Sequence, residues 1–155
     1  MSWDVRGELI RVAEESCRLD RLALSSYIIY FYRYFGKTTD EKNAISRAIH
    51  EASVKAGNPE DDMAQRFLCL EPPDLKVDLN YPGLPKPRTE QMLMIEVLVS
   101  SGTDADRKTR LLAALVEALD GAGTDPNDVM VFFGEIDRAN SSFGDGRLAP
   151  PVSRI

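Results

Sequence analysis

The hydrophobic and polar positions of this chain follow two patterns, and each pattern occurs twice. Residues 26–35, SYIIYFYRYF, and residues 92–99, MLMIEVLV, are dense in β-branched, aromatic and aliphatic side chains, as β-strands usually are. Each run is followed by a segment whose apolar residues recur every three or four positions, which indicates the buried face of a helix. Two shorter runs, residues 64–70 and 129–136, predict two further strands.

Both predicted helices have a buried face and recognisable ends. The apolar face of the first helix consists of Ile45, Ala48, Ile49, Ala52 and Ala56, and that of the second of Leu111, Leu112, Leu115, Ala118 and Leu119. Thr38 and Glu41 match a capping box at the start of the first helix, and Thr103 with Asp106 repeats the pattern at the second. Glycine follows each segment, which is typical of a helix end.

The two halves also share a motif at a fixed spacing. The sequence GKTTDEK, residues 36–42, returns as GTDADRK, residues 102–108, which is 66 positions later. The turn NPEDD returns as DPNDV, with Pro126 lying 67 positions after Pro59. The sequence therefore predicts a β-α-β unit that occurs twice in tandem. The result would be an α+β fold in which a four-stranded sheet carries both helices on one face.

This pattern predicts a double-repeat domain with an addition at each end. The predicted parts are an N-terminal helical extension over residues 1–25 with its helix at 3–24, a domain over 26–148, and a tail over 149–155. The domain itself is predicted to consist of a first repeat at 26–73, a proline-rich linker at 74–91 and a second repeat at 92–148. Because the strands are apolar on both sides, the sheet face away from the helices needs cover, which we expect other copies of the chain to supply.

The amino-acid composition of the chain limits which kinds of molecule it is expected to bind. The net charge is −6 and the isoelectric point is near 4.9, without a basic stripe, so we expect no nucleic-acid partner. No apolar run is long enough to span a membrane, so we expect no membrane partner. Two cysteines and one histidine form no zinc-binding pattern and no disulfide framework. We therefore expect no metal, no cofactor and a cytoplasmic location.

The order and spacing of these features resemble the tautomerase superfamily, in particular its branch of long double-repeat subunits that contains malonate semialdehyde decarboxylase. The matching features are the strand before Lys37, the two G-x5-K units, the turns at Pro59 and Pro126, and the loop SFGDG, residues 142–146. The resemblance implies a homotrimer and chemistry on small unsaturated or oxo acids. In that family the base, acid or iminium former is usually an N-terminal proline amine.

Several positions differ from the family pattern. Counting back from Gly36 places the proline position at about Tyr27, preceded by Ser26, and removal of Met1 exposes Ser2. The usual amine mechanism is therefore not expected here. Ser141 occupies a position where that branch usually has tryptophan, and two arginine positions of the decarboxylase are occupied by Ser101 and Thr103. Decarboxylation of a small oxo acid is accordingly not expected.

The resemblance still implies a set of candidate residues. Asp62 would act as general base or orient water, and Lys37 would contact an anion or oxyanion. Phe143 would form an apolar wall, and three further side chains would contact substrate: Tyr27, Arg66 and Ser141. Each has a structural alternative, since Asp in a turn often bonds local amides, a lysine at a helix start is often only solvated, and aromatic residues often belong to a core or an interface.

Two functions follow from these residues. The first is an enzyme that catalyses proton transfer next to a carbonyl on a small unsaturated or oxo compound, by tautomerisation, isomerisation, hydration or cyclisation, without a proline amine. Its ligand would be a small carbonyl compound or carboxylate. The second is a non-catalytic scaffold or ligand-binding subunit of the same fold, paired with an active paralogue. The missing proline, arginine and tryptophan positions favour the second function, whereas Lys37, Asp62 and the SFGDG loop favour the first.

Overall fold

A computed structural model describes residues 25–32 and 37–149. Its elements in chain order are β1 (Ser25–Tyr32), α1 (Thr39–Lys55), β2 (Gln65–Leu70), β3 (Leu93–Ser100), α2 (Ala105–Gly121) and β4 (Val129–Ile136). Two short 3-10 helices, Pro126–Asp128 and Arg138–Asn140, flank β4. The helix predicted over residues 3–24 and the predicted strand end at 33–35 lie outside the described residues. Neither described helix has both the length and the apolar composition needed to cross a bilayer.

The four strands form one sheet in the order β2-β1-β3-β4. Each repeat contributes a parallel pair, and the two repeats meet where β1 and β3 run antiparallel. In that central pairing Ile29 lies opposite Ile95, which is its counterpart at the 66-residue spacing. The helices repeat at the same spacing, since each has 17 residues and they begin at Thr39 and Ala105. The predicted tandem β-α-β fold is confirmed.

The core lies between the sheet and the two helices. Alternate residues of the central strands are buried there: Tyr27, Ile29 and Phe31 in β1, and Leu93, Ile95, Val97 and Val99 in β3. The helices contribute Ile45, Ile49, Leu111, Leu115 and Leu119 to the same cluster. Burial therefore follows a period of two in the strands and of three to four in the helices, as the hydrophobic pattern predicts. Each fully buried aliphatic side chain contributes about 1.5–3 kcal/mol.

The other face of the sheet, here called the open face, has no helix of the described residues packed on it. It carries apolar side chains from all four strands, and Leu68 and Phe132 are 43% and 52% exposed. In its centre Tyr30 interacts with the Glu96 carboxylate, and partial burial together with this contact raises the pKa of Tyr30. Burial on both faces was expected for β1, but within one chain this face is only partly covered.

The two helix starts are capped differently. At α1 the predicted capping box is present, because Thr38 Oγ1 accepts from Glu41 N at 3.2 Å and Glu41 accepts from Thr38 N at 2.8 Å. The bond from the Thr38 backbone holds the pKa of Glu41 below its usual value. At α2 the cap is Asp104, which accepts from Arg107 N at 2.6 Å. The cap predicted at Thr103 is therefore wrong by one residue, since the Thr103 hydroxyl instead donates to Ser100 O at 2.7 Å.

The linker contains neither helix nor strand, as predicted, but it is fixed to the second repeat. Asp128 is only 3% exposed and accepts two hydrogen bonds from Thr89, one from the backbone N–H at 2.7 Å and one from the hydroxyl at 2.5 Å. Asn127 donates to the carbonyls of Lys86 and Pro87, and Lys86 pairs with Asp125. The end of the linker therefore covers the turn that leads into β4.

Candidate functional site

The sheet has two ends, and the candidate residues are divided between them. At the proximal end β1 and β2 begin while β3 and β4 finish, as the pairs Tyr27–Gln65, Ser26–Leu98 and Val99–Glu135 show. At the distal end the directions are reversed, and β1 leads towards the start of α1. Because each helix runs back along the sheet, α1 ends and α2 starts at the proximal end.

Asp62 lies at the proximal end, in the turn between α1 and β2. The turn is closed by a bond from Asp62 N to Pro59 O at 3.1 Å, and Tyr27 N donates to Ala64 O at 2.9 Å where β1 and β2 begin. Asp62 is partly exposed, whereas its neighbour Asp61 is exposed. Asp62 therefore stands beside the first residues of β1, where the resemblance placed the catalytic centre.

Asn58 fixes this turn to both repeats. It is buried, its side-chain N–H donates to Ser53 Oγ at 2.7 Å, and its carbonyl oxygen accepts from Arg107 Nη2 at 2.6 Å. The side chain thus joins the last part of α1 to the first turn of α2. No role for Asn58 was predicted, although an Asn between a glycine and a proline at a helix end is a typical turn signal.

The loop after β4 brings Ser141 and Phe143 to the same end. Ser101 N donates to Ile136 O at 2.9 Å, which joins this loop to the one after β3. Ser141 Oγ donates to Asp137 O at 3.3 Å, and Ala149 N donates to Ser141 O at 2.7 Å. The chain between residues 141 and 149 therefore forms a closed loop, and it lines a shallow open concavity.

Phe143 and Arg138 form a contact at this concavity. The Phe143 side chain is half exposed at its rim, while Arg138 is only 4% exposed. The guanidinium carbon lies 5.5 Å from the centre of the Phe143 ring, within cation–π distance. Burial lowers the pKa of Arg138. Arg138 was not among the predicted site residues, and its position directly after an apolar strand was the only sequence signal.

Lys37 lies at the distal end, away from Asp62. Its ammonium donates to Gln91 Oε1 at 2.8 Å and lies 3.5 Å from Glu41, and its side chain is 11% exposed. A β-strand rises about 3.3 Å per residue, and β1 runs from one end of the sheet to the other. Lys37 and Asp62 therefore lie roughly 15–20 Å apart. Within one chain the structure does not bring these two residues together.

Tyr27 and Arg66 lie on opposite faces of the sheet near the proximal end. Tyr27 is 1% exposed and belongs to the core beneath the helices. Arg66 is exposed on the open face, where it pairs in register with Ile28. Five of the six predicted site residues therefore lie at or near the proximal end, and they are Asp62, Tyr27, Arg66, Ser141 and Phe143.

The described residues contain no group of three or more side chains suited to hold a metal ion. The proximal end of the sheet carries the Asp62 carboxylate at the β2 edge, and the Phe143 ring with the buried Arg138 guanidinium after β4. A carboxylate is a suitable base for a proton next to a carbonyl, and an aromatic wall suits the apolar part of a small acid.

Comparisons with known proteins agree with this fold. The family model described as "Tautomerase enzyme" matches residues 62–144, more than half of the chain. Crystal structures of a malonate semialdehyde decarboxylase, described as a basis for decarboxylase and hydratase activities, are similar at 27% identity and a TM-score of 0.71, covering 79% of this chain and 92% of that one. A malonate semialdehyde decarboxylase inhibited by 3-bromopropiolate follows at 26% identity and a TM-score of 0.69, covering 79% and 91%.

A further similar structure shows the fold alone. It is a fused 4-OT described as a symmetric trimer, with 23% identity and a TM-score of 0.60, covering 81% of this chain and 95% of that one. None of the curated proteins that were compared matches the sequence. The family match begins at Asp62 and includes β2, β3, α2, β4 and Phe143. The chain therefore belongs to the tautomerase superfamily.

Proposed function

We propose that this chain is an enzyme that catalyses proton transfer next to a carbonyl on a small unsaturated or oxo compound, by tautomerisation, isomerisation, hydration or cyclisation. The observation that carries the proposal is the proximal end, where Asp62 precedes β2 and the Phe143 loop follows β4, so that both stand at the same end of the sheet. The similarity to malonate semialdehyde decarboxylase supports it, since that protein acts on a small oxo acid. The fold and the family are established independently of this proposal.

In this proposal Asp62 takes the role of the base. Residues 1–58 contain no proline, so a carboxylate replaces the proline amine as the group that moves the proton. The carboxylate takes a proton from the carbon next to the carbonyl, which leaves an enolate, and the proton returns to a different atom of the substrate. For hydration the same carboxylate orients and deprotonates the attacking water. Phe143 supports the apolar part of the substrate, with Ser141 in the same loop, whereas Tyr27 is buried in the core and would contact a substrate only after a rearrangement.

Lys37 can serve the same pocket only from a second copy of the chain, because it lies at the distal end. A homotrimer would supply that copy, and two observations support it. The open face carries exposed Leu68 and Phe132, and the fused 4-OT of the same fold is a trimer. In such an assembly the distal end of one subunit would meet the proximal end of the next, and Arg66 would lie within the interface.

Replacing Phe132 by Lys is expected to convert the trimer to single chains, because a charge would be buried in an apolar interface. The matched control is Leu112→Lys, since Leu112 is 38% exposed but lies on α2, away from the open face. Sedimentation velocity measures the result. A wild-type chain that sediments as a monomer, or a Phe132→Lys chain that remains trimeric, would contradict the proposed assembly.

The proposed activity is tested by ultraviolet assay of the wild-type chain with two simple enols, phenylenolpyruvate and 2-hydroxymuconate. Conversion of either compound well above the uncatalysed rate is the expected result. The same compounds are added in thermal unfolding experiments, where a ligand of the folded state raises Tm. If neither enol is converted and neither raises Tm, the proposal is refuted.

Replacing Lys37 by Ala is expected to raise KM for the enol by roughly 10- to 100-fold with a smaller change in kcat, which is the loss of about 1.5–3 kcal/mol from one charged hydrogen bond. The control is Lys76→Ala, since Lys76 is exposed in the linker. A Lys37→Ala chain with an unchanged KM and a lower Tm would show that Lys37 only joins Glu41 of α1 to Gln91 before β3.

The second candidate is a non-catalytic scaffold or ligand-binding subunit that works with an active paralogue. Lys37 favours it, because its ammonium is already engaged within the chain by Gln91 and Glu41. Tyr27 also favours it, because at the position of the family's amine it is buried in the core. A ligand-induced rise in Tm without turnover is the result expected for the ligand-binding subunit.

A further inference from the structure

Arg138 is a buried charge at the proximal end. Its side chain is 4% exposed, although a guanidinium remains protonated under all ordinary conditions. Burying such a group costs several kcal/mol before compensation, and an apolar side chain of similar volume is often no less stable. An arginine buried at this place therefore indicates a use for the charge or for the planar guanidinium.

The contact with Phe143 indicates what that use is. The guanidinium lies 5.5 Å from the centre of the Phe143 ring, whose electron-rich face attracts a cation. The backbone of this loop is held by its own hydrogen bonds, from Ala149 N to Ser141 O and from Ser142 Oγ to Gly144 O. These bonds fix the loop but not the ring, and the ring is half exposed at the rim of the concavity. Arg138 contacts the ring itself and is therefore suited to orient it.

We propose that Arg138 is a positioning residue of the candidate pocket, which holds the Phe143 ring as the wall against which the apolar part of a small carboxylate packs. Its positive charge, buried behind the ring, also favours an anionic ligand over a neutral one. The effect on ligand binding rests on the proposed function, whereas the orientation of the ring does not. The experiment therefore has one arm without ligand and one arm with ligand.

The arm without ligand uses a chain carrying Trp3→Phe and Phe143→Trp, in which the new indole is the only one. Acrylamide quenching of its fluorescence measures how freely the ring is exposed. Adding Arg138→Gln is expected to raise the quenching constant about twofold, and Arg138→Lys, which keeps the cation, is expected to give an intermediate value. The control Arg147→Gln removes an exposed guanidinium of the same loop and is expected to change nothing.

Equal quenching constants in the parent and in Arg138→Gln would overturn the proposal. Should Arg138→Gln fail to fold, Arg138→Lys is compared with Arg147→Lys instead, and equality with the parent again overturns it. Far-ultraviolet circular dichroism of each variant establishes that the fold is intact. Unfolding is then excluded as the cause of any change in the quenching constant.

The arm with ligand measures KM for phenylenolpyruvate in a double-mutant cycle. Arg138→Gln is expected to raise KM by about 2- to 30-fold in the wild-type background, as a cation–π contact of roughly 0.5–2 kcal/mol predicts. In the Phe143→Leu background the same change is expected to have little further effect, because Arg138 acts through the ring. Additive losses would overturn the positioning role. If the wild-type chain converts neither enol and neither raises Tm, the proposed function is refuted, and the fluorescence arm then decides this proposal alone.

Discussion

Replacement of Asp62 by Asn is expected to lower kcat/KM for an enol substrate by about 10²- to 10⁴-fold, which is the usual contribution of a general acid–base group. Asn has nearly the same shape as Asp but cannot accept a proton. The turn that carries Asp62 is closed by backbone bonds and anchored by Asn58, so the fold is expected to survive the change. The loss should therefore appear in kcat at an unchanged Tm.

The neighbouring carboxylate supplies the control. Asp61 is exposed in the same turn, and Asp61→Asn removes the same charge one residue away. Its kcat/KM is expected to remain within about threefold of wild type, because a screened surface charge acts only weakly on the pocket. Equal losses in both variants would mean that the turn acts through its total charge, and no loss in either would remove Asp62 from the mechanism.

The second large effect concerns stability. Replacing Asp128 by Ala is expected to lower the free energy of unfolding by about 2–4 kcal/mol, because the buried carboxylate accepts two charge-assisted hydrogen bonds from Thr89. The linker would also lose its main attachment to the turn before β4. Urea denaturation followed by circular dichroism measures the change.

Two variants show where that stability comes from. Thr89→Val removes the hydroxyl but keeps the backbone N–H, so a smaller loss of about 1–2 kcal/mol is expected. Asp120→Ala removes an exposed carboxylate from the last turn of α2, and a change within about 0.5 kcal/mol is expected. A loss below 1 kcal/mol for Asp128→Ala would show that the linker is held by other contacts.

The fold could be predicted because hydrophobic periodicity marks each strand and helix, and because the motifs of the two repeats recur at a fixed spacing. The spacing of 66 residues between the G-x5-K motifs is also the spacing between the helix starts and between Ile29 and Ile95, which pair at the centre of the sheet. One capping box was correct, and the other was displaced because Asp104 offers a stronger acceptor than Thr103.

The site was less predictable because it depends on which groups meet in space. Lys37 and Asp62 were assigned to one pocket, yet one follows the end of β1 and the other precedes the start of β2. Since these strands are parallel, the two residues had to lie at opposite ends, so the sequence already contained this information. Contacts such as Asn58 with Arg107 join residues 49 positions apart, and no periodicity reveals them.

Under the proposed function, the attachment of the linker bears on how many ligands one chain would hold. Asp128 lies 66 positions after Asp62, so the two carboxylates stand at equivalent places of the two repeats. Asp128 accepts two hydrogen bonds from Thr89, and Asn127 beside it donates to the carbonyls of Lys86 and Pro87. The internal symmetry thus gives two equivalent turns per polypeptide, but the linker covers one of them. We expect calorimetric titration to give a stoichiometry of one per polypeptide, despite the duplicated architecture.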